Sequence, residues 1–420
     1  MSRNFLRLFI LIFMLAPDGA TAQDVAPEIS IEKIWDVQAG TTIYGGVKFD
    51  RGMVYTGGED GVLHAIDAIT GNVAWTYDAG AAIASSVAVD FYRLYFHTRD
   101  GVVHALNKDN GSEVWTFETE GERQWDDWDY YLSTPVVDGL QIYFGSGDHH
   151  VYALDQRTGH LRWKVKTQNI IHGEPVISGE KIIIGGFEGR LYAFDRGDGR
   201  ELWRFKTVGT DYFRNGAIPG TASVKDGIVY FGGRDYNIYA LLEETGTGAW
   251  NDKTPSWIVG KPLAVDDELI VVNSDGSRVF SYHNRTGQLN WEITNSYNMF
   301  AAAEVIGTSH VAIAGLDGRI SILSRADGSV AGFFETDGAR ATRADYFTDE
   351  GALDYTGIES LDDLLDLYDR QMAGMGGIPG SVAVDGDIIY YATANGEIAA
   401  IRVGGIELPP NEESGEEEGE

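Results

Sequence analysis

Cysteine is absent from the 420-residue chain. That excludes disulfides, thiolate-held zinc or iron–sulfur clusters, a thiol nucleophile and thioether-linked haem. It also excludes lipid anchoring through a cysteine at an export-signal cleavage point. Positive charge is scarce: 32 Lys and Arg stand against 64 Asp and Glu, a formal charge of −32. A surface of that sign repels a phosphate backbone and anionic lipid, so no nucleic-acid partner is expected. No stretch approaches 18 apolar residues, so no integral membrane segment is expected. Chemical signatures are thin as well. The chain has no Gly-rich phosphate loop ahead of a helix, no HExxH, no EF-hand loop and no nucleophile elbow. These absences predict no catalytic residues and no metal ligands. The nine histidines are scattered. His149 and His150 are neighbours at a strand start and point to opposite sides.

What the sequence has in excess is glycine, 53 residues, and a repeated pattern. Asp67-x-x-Thr70-Gly71-x-x-x-Trp75 returns as Asp155, Gly159 and Trp163, and as Asp195, Gly199 and Trp203. Looser copies carry Gly111 with Trp115, Gly246 with Trp250, and Gly287 with Trp291. A seventh has Gly328, with Gly332 at the Trp position and Phe333 beside it. The turn glycines lie 40, 48, 40, 47, 41 and 41 residues apart. An eighth copy, 388–401, follows a longer gap. Each unit reads as four short strands, a to d, joined by Asp-Gly and Thr-Gly hairpin turns. A fixed period of about 40 residues with four strands is the signature of a propeller blade. Residues 31–37, around Trp35, form a lone d strand before any a, b or c strand, while the last unit lacks its own d. The expectation is an all-β, eight-bladed β-propeller of four-stranded antiparallel blades, with the N-terminal strand closing the last blade.

The tryptophan-bearing repeat resembles the docking motif of quinoprotein (PQQ-repeat) eight-bladed propellers over about residues 30–406. The resemblance implies that Trp35, Trp75, Trp115, Trp163, Trp203, Trp250 and Trp291 pack structurally between adjacent blades. The family has a dehydrogenase branch, which uses PQQ with calcium, and a non-enzymatic periplasmic branch typified by BamB. Length, blade count and export signal are similar to the BamB-like branch. The missing lipid-attachment cysteine, the strong acidity and an acidic tail depart from it. The dehydrogenases are usually longer and commonly carry adjacent cysteines over the cofactor, and none of their calcium or base residues maps onto this chain.

The N-terminus reads as an export signal. Arg3 and Arg7 precede an apolar run, 8–16, and Ala20-Thr21-Ala22 offers a small-x-small cleavage site. The expected organisation is a signal peptide at 1–22, a linker at 23–30, the propeller at 31–408 and an acidic disordered tail at 409–420. Three connections exceed the basic period: 118–133, 208–221 and 335–379. All three link a d strand to the next a strand, so they share one mouth of the ring with the b–c turns. Loops on a rigid scaffold carry function. The candidate partner-binding residues are therefore Trp125, Trp128, Tyr130 and Tyr131 in the first insertion, Tyr212, Phe213 and Arg214 in the second, and Leu364 and Tyr368 in the third. The first set reads equally as a partner surface or as a plug packed into the ring, and Asp126, Asp127 and Asp129 could seat a cation. The third insertion predicts one short amphipathic helix, with apolar residues at 361, 364, 365, 368 and 372 and a capping box at Ser360 and Asp363. The b–c turns carry Asp60, Asp100, Asp148, Glu188, Asp235, Asp275, Asp317 and Asn395. This ring reads first as hairpin chemistry and second as an acidic mouth favouring cations or basic surfaces.

These observations predict an exported, soluble, monomeric scaffold that binds an envelope protein partner without catalysis, in a BamB-like role. No cofactor is expected. The alternatives are a PQQ- or metal-dependent oxidoreductase, and a binder of small ligands or cations in the channel.

Overall fold

In the computed structural model, which describes residues 29–211, 214–348 and 352–410, eight four-stranded antiparallel sheets form the blades of a propeller. The expected export signal lies outside these residues, as do Tyr212, Phe213 and most of the acidic tail. Blade 1 is typical. Strand a (Lys48–Asp50) is innermost, followed outward by b (Met53–Gly57), c (Val62–Asp67) and d (Val73–Asp78). Blades 2 to 7 repeat this order over 88–118, 136–166, 176–206, 223–253, 263–294 and 304–335. In blade 8, strands Ala383–Asp385, Ile388–Ala392 and Glu397–Gly404 are completed by the N-terminal strand Ser30–Gln38. That strand pairs antiparallel with Glu397–Gly404, from Ser30 opposite Gly404 to Gln38 opposite Glu397. Closure by strand exchange satisfies the backbone groups that an open ring would leave at its first and last edges.

The d strand of every blade bulges immediately before the docking position. In blade 1, Trp75 pairs with Ala65 and Val73 with Ile66, leaving Ala74 without a partner. The same shift recurs beside Trp115, Trp163, Trp203, Trp250 and Trp291, and before Trp35 in the closing strand. A bulge re-aims the side chains beyond it. Here the indole turns off the exposed outer strand and into the seam with the next blade. Seven of the eight seams pair one tryptophan with one turn glycine. A methyl group added at Gly199 would lie 2.7 Å from the Trp163 ring, and one at Gly71 would lie 2.8 Å from Trp35. The indole N–H of Trp163 donates to the Arg196 carbonyl (3.1 Å), and that of Trp35 to the Ala68 carbonyl (2.9 Å). Gly199 also needs φ +75°, a conformation that favours glycine, so the motif glycine serves both turn and seam.

Blade 7 shows what replaces the tryptophan. Gly332 occupies its register position opposite Ile322, and Ile29 packs where the ring would lie. Phe333 stays exposed, with the Arg319 guanidinium 4.4 Å from its ring centre. Two helices, not one, occupy the third insertion among the described residues: α1 (Asp337–Tyr346) and α2 (Leu361–Met375). α2 has the expected capping box, with Ser360 Oγ accepting from the Asp363 amide (3.1 Å) and the Asp363 carboxylate accepting from the Ser360 amide (2.8 Å). α1 starts at Thr336, whose hydroxyl accepts from the Ala339 amide (3.1 Å).

Candidate functional site: the sealed mouth

The three insertions leave the ring on the side of the b–c turns. The first, 118–133, is pulled inward by buried charge. The Glu122 carboxylate accepts from Ser146 Oγ (2.5 Å) and the Gly147 amide (2.6 Å) in the b–c turn of blade 3. His172, from the link into blade 4, donates through Nε2 to Glu122 (3.1 Å) and through Nδ1 to Asp129 (2.9 Å). His97 Nε2 lies 3.2 Å from the other oxygen of Glu122. All four side chains are buried. Burial opposes a charge on His172, yet the hydrogen bonds to Asp129 and Glu122 outweigh it and hold the imidazole up at about 9. Burial likewise pushes Glu122 upward, but His97 and His172 prevail and hold it well below the ordinary carboxylate range. The network links blades 2, 3 and 4 through Glu122, with His172 as the charged partner of Glu122 and Asp129.

A second clamp joins Asp126 to Arg234 in the b–c turn of blade 5. The Arg234 guanidinium is buried and stacks over Trp257 at 4.7 Å and Phe187 at 5.4 Å. The expectation that Asp126, Asp127 and Asp129 could seat a cation is thereby corrected. The protein supplies the cations itself, Arg234 to Asp126 and His172 to Asp129, while Asp127 is exposed.

With its acids anchored, the first insertion lays its aromatic rings across the channel. Tyr130 stacks on Tyr44 from the link into blade 1 (5.1 Å, 19°), and the Tyr131 hydroxyl donates to the Pro379 carbonyl (2.8 Å), 248 residues along the chain. Trp128 meets Trp257 (6.4 Å) and Tyr368 of α2 (5.3 Å) edge-on. α2 buries Leu364, Leu367 and Tyr368 with Leu353 against Trp128, Tyr297 and Tyr346. The helix pair is tied to the ring by Arg343 on Asp317 (2.9 Å), Gln371 on the Leu316 carbonyl (3.0 Å) and Thr336 Oγ1 on the Met375 carbonyl (2.6 Å).

Of the candidate partner-binding residues, the structure turns most inward. Leu364 (1% exposed) and Tyr368 (5%) are buried, and Trp128, Tyr130 and Tyr131 are half-buried in the plug. The reason is physical: these side chains meet apolar neighbours there, Phe300, Leu316 and Met372 on one side and Tyr297, Leu353 and Leu367 on the other, and packing against them removes more apolar surface from water than display would. Trp125, 39% exposed, and Arg214 stay at the surface. The acidic turn residues mostly cap their own hairpins. The Tyr239 hydroxyl donates to Asp235 (2.6 Å), and the Val62 amide to Asp60 (3.0 Å). His64 and His104 are buried, and His104 stacks on Phe96 (4.9 Å).

Sequence reasoning missed Glu122, His172, Arg234, Tyr44 and Trp257. The one usable signal was Arg234, which shares with Arg99 alone a cation at the b–c turn position that holds Glu59, Gly147, Phe187, Ser274, Leu316 and Ala394 in the other blades. A quinone with its metal does not fit this mouth. The protein's own rings fill it, and among the described residues no group of three or more His, Asp or Glu is arranged to hold a metal ion.

The profile of one family, described as outer membrane protein assembly factor BamB, matches residues 28–195 and again 188–352. The chain belongs to that family. No curated protein matches it. Among solved structures, BamB from Moraxella catarrhalis is similar at 17% identity and a TM-score of 0.68, covering 89% of this chain and 100% of that one. The computationally designed Ika8 protein is similar at 16% identity and 0.66, covering 87% and 97%. Quinohemoprotein alcohol dehydrogenase from Comamonas testosteroni is similar at 12% identity and 0.65, covering 92% and 79%. At these identities the three share the fold with this BamB-family propeller, and the fold alone serves both binding and redox proteins.

Proposed function

We propose that this propeller is an exported, non-enzymatic scaffold that holds a protein partner on its sealed mouth, in a BamB-like role in envelope or outer-membrane protein assembly. The observation that carries the reading is the seal itself. A mouth filled by the chain's own side chains offers a surface rather than a pocket, and surfaces are read by macromolecules. Family membership supports the same role. The contact surface comprises Trp125, an aromatic anchor of the kind interfaces favour, and the outer face of α2, where Asp362, Asp366 and Asp369 are exposed. Its charge favours a partner presenting a basic segment.

The test is affinity capture from the native envelope with wild type and with a Trp125→Ala/Asp366→Lys/Asp369→Lys variant, paired with deletion of the gene. One partner should be captured by wild type and lost with the variant, and deletion should lower outer-membrane β-barrel protein levels. Equal capture by both, or unchanged barrel proteins on deletion, overturns the reading. So does dye reduction by the protein supplied with PQQ and calcium.

A further inference from the structure

Beneath the seal the ring encloses a cavity of about 600 Å³. Tyr131, Leu132, Phe300 and Pro379 line its closed end, whereas Phe49 and Val384 line it next to the a–b turns on the opposite face. Its volume falls within the range of small-molecule sites. Lys48 of blade 1, Glu174 ahead of blade 4, Lys261 ahead of blade 6 and Glu304 of blade 7 all face it. Lys261 and Glu304 also line a smaller adjoining cavity of about 300 Å³.

These four differ from the charges of the mouth. There, Glu122, Asp126 and Asp317 each meet a cationic partner within ion-pair distance. In the channel, none of the four side chains makes a hydrogen bond or ion pair with any described residue. Both lysines are open to solvent and both glutamates are half-buried. Burial pushes Glu304 up to about 6 and raises Glu174, and Lys261 and Lys48 oppose the rise in each case. The lysines therefore lie near enough to act on the carboxylates without closing onto them. Two ammoniums and two carboxylates sum to no net charge when ionised. A simple anion entering the cavity would face both glutamates, and a simple cation both lysines. A molecule carrying one charge of each sign meets a complement for both, inside walls that strengthen the field.

We propose that the channel binds a small zwitterion of the amino-acid or short-peptide class, with its carboxylate on Lys48 or Lys261 and its ammonium on Glu174 or Glu304, entering from the face opposite the seal. This site is independent of the partner surface, so either can fail alone.

Calorimetric titration of the full mature chain tests it, using tri-alanine, its N-acetylated and C-amidated forms, the doubly blocked form, free alanine and succinate. Free tri-alanine or alanine should bind, the two distinguishing peptide from amino acid. Blocking either end should weaken binding roughly tenfold or more, the scale of one lost charged hydrogen bond. Lys261→Met and Glu304→Gln should each do the same while the unliganded melting temperature stays near wild type. Equal binding of the doubly blocked peptide, tighter binding of succinate, or no binding of either zwitterion up to about 10 mM overturns the proposal. In the last case the four charges are simply solvated by water in the channel.

Discussion

At the blade seams one contact is made again and again: an indole, a turn glycine and a carbonyl that accepts the indole N–H, as in Trp163, Gly199 and Arg196. At the mouth no contact is made twice. Glu122 with His172, Asp126 with Arg234 and Tyr131 with Pro379 each join different blades through different chemistry. Repeated apolar seams act nearly independently, each stabilising its own pair of neighbours. Buried ion pairs behave otherwise. Their partners must be present together, because one left alone is an uncompensated charge. The seams should therefore respond to lost volume and ignore pH, and the mouth should respond to lost charge and depend on it.

The largest effect should come from a seam. Trp163→Ala removes a ring packed on Tyr143 at 5.9 Å and leaves a cavity between blades 3 and 4. The expected loss is about 4 kcal/mol, read as a lower urea midpoint at an unchanged slope, and it should be the same at pH 6 and at pH 9. A strong pH dependence would break the comparison.

Glu122→Gln should cost slightly less, about 3 kcal/mol, with a signature the seam lacks. His172 is held at about 9, above its ordinary 6.5, so its contribution is complete below about 6.5 and is lost as pH rises through about 9. Glu122 is held low, so its contribution is complete above its ordinary 4.5 and is lost as pH falls toward its depressed value. The gap between wild type and Glu122→Gln should be widest from about pH 4.5 to 6.5 and should narrow on either side. Amide exchange across 120–133 at a series of pH values checks this, and a gap that stays constant with pH would show that the network is held by packing rather than by charge. Smaller again, Gly199→Ala should cost about 2 kcal/mol, since it combines φ +75° with a methyl group 2.7 Å from Trp163. A thermal shift no larger than that of Gly80→Ala, where φ is +77° but nothing lies within 4 Å of an added methyl, would mean that the turn conformation alone sets the requirement for glycine.

The same contrast explains what could be read from the sequence. Blade number, strand order and the closing strand at Trp35 were legible because the period repeats one physical solution. α2 was legible because its capping residues and its apolar spacing are local. α1 was not: its start at Thr336 is followed by Asp337 and Gly338 and carries no apolar stripe comparable to that of α2. The sealing of the mouth was open for a different reason. Trp128 and Tyr130 would look the same in sequence whether displayed or buried, and the choice between them was made by residues far away. Tyr44, Arg234, Trp257 and Phe300 come from four other places in the chain. No spacing rule connects them, whereas the spacing of Gly71 and Trp75 was enough to expect a seam.

The smallest effect is expected at the one part of the mouth that is encoded locally. Ser360→Ala removes the hydroxyl that accepts from the Asp363 amide and should cost about 1 kcal/mol. Leu364, Leu367 and Tyr368 remain buried against Trp128 and Tyr297, so α2 should stay docked and the loss should fall on its first turn. Exchange of the amides at 361–364 should quicken while those at 367–372 stay protected. If protection were lost along the whole helix together with 120–133, the helix and the first insertion would be one cooperative unit. The mouth would then resemble a single buried core rather than a set of separately anchored loops.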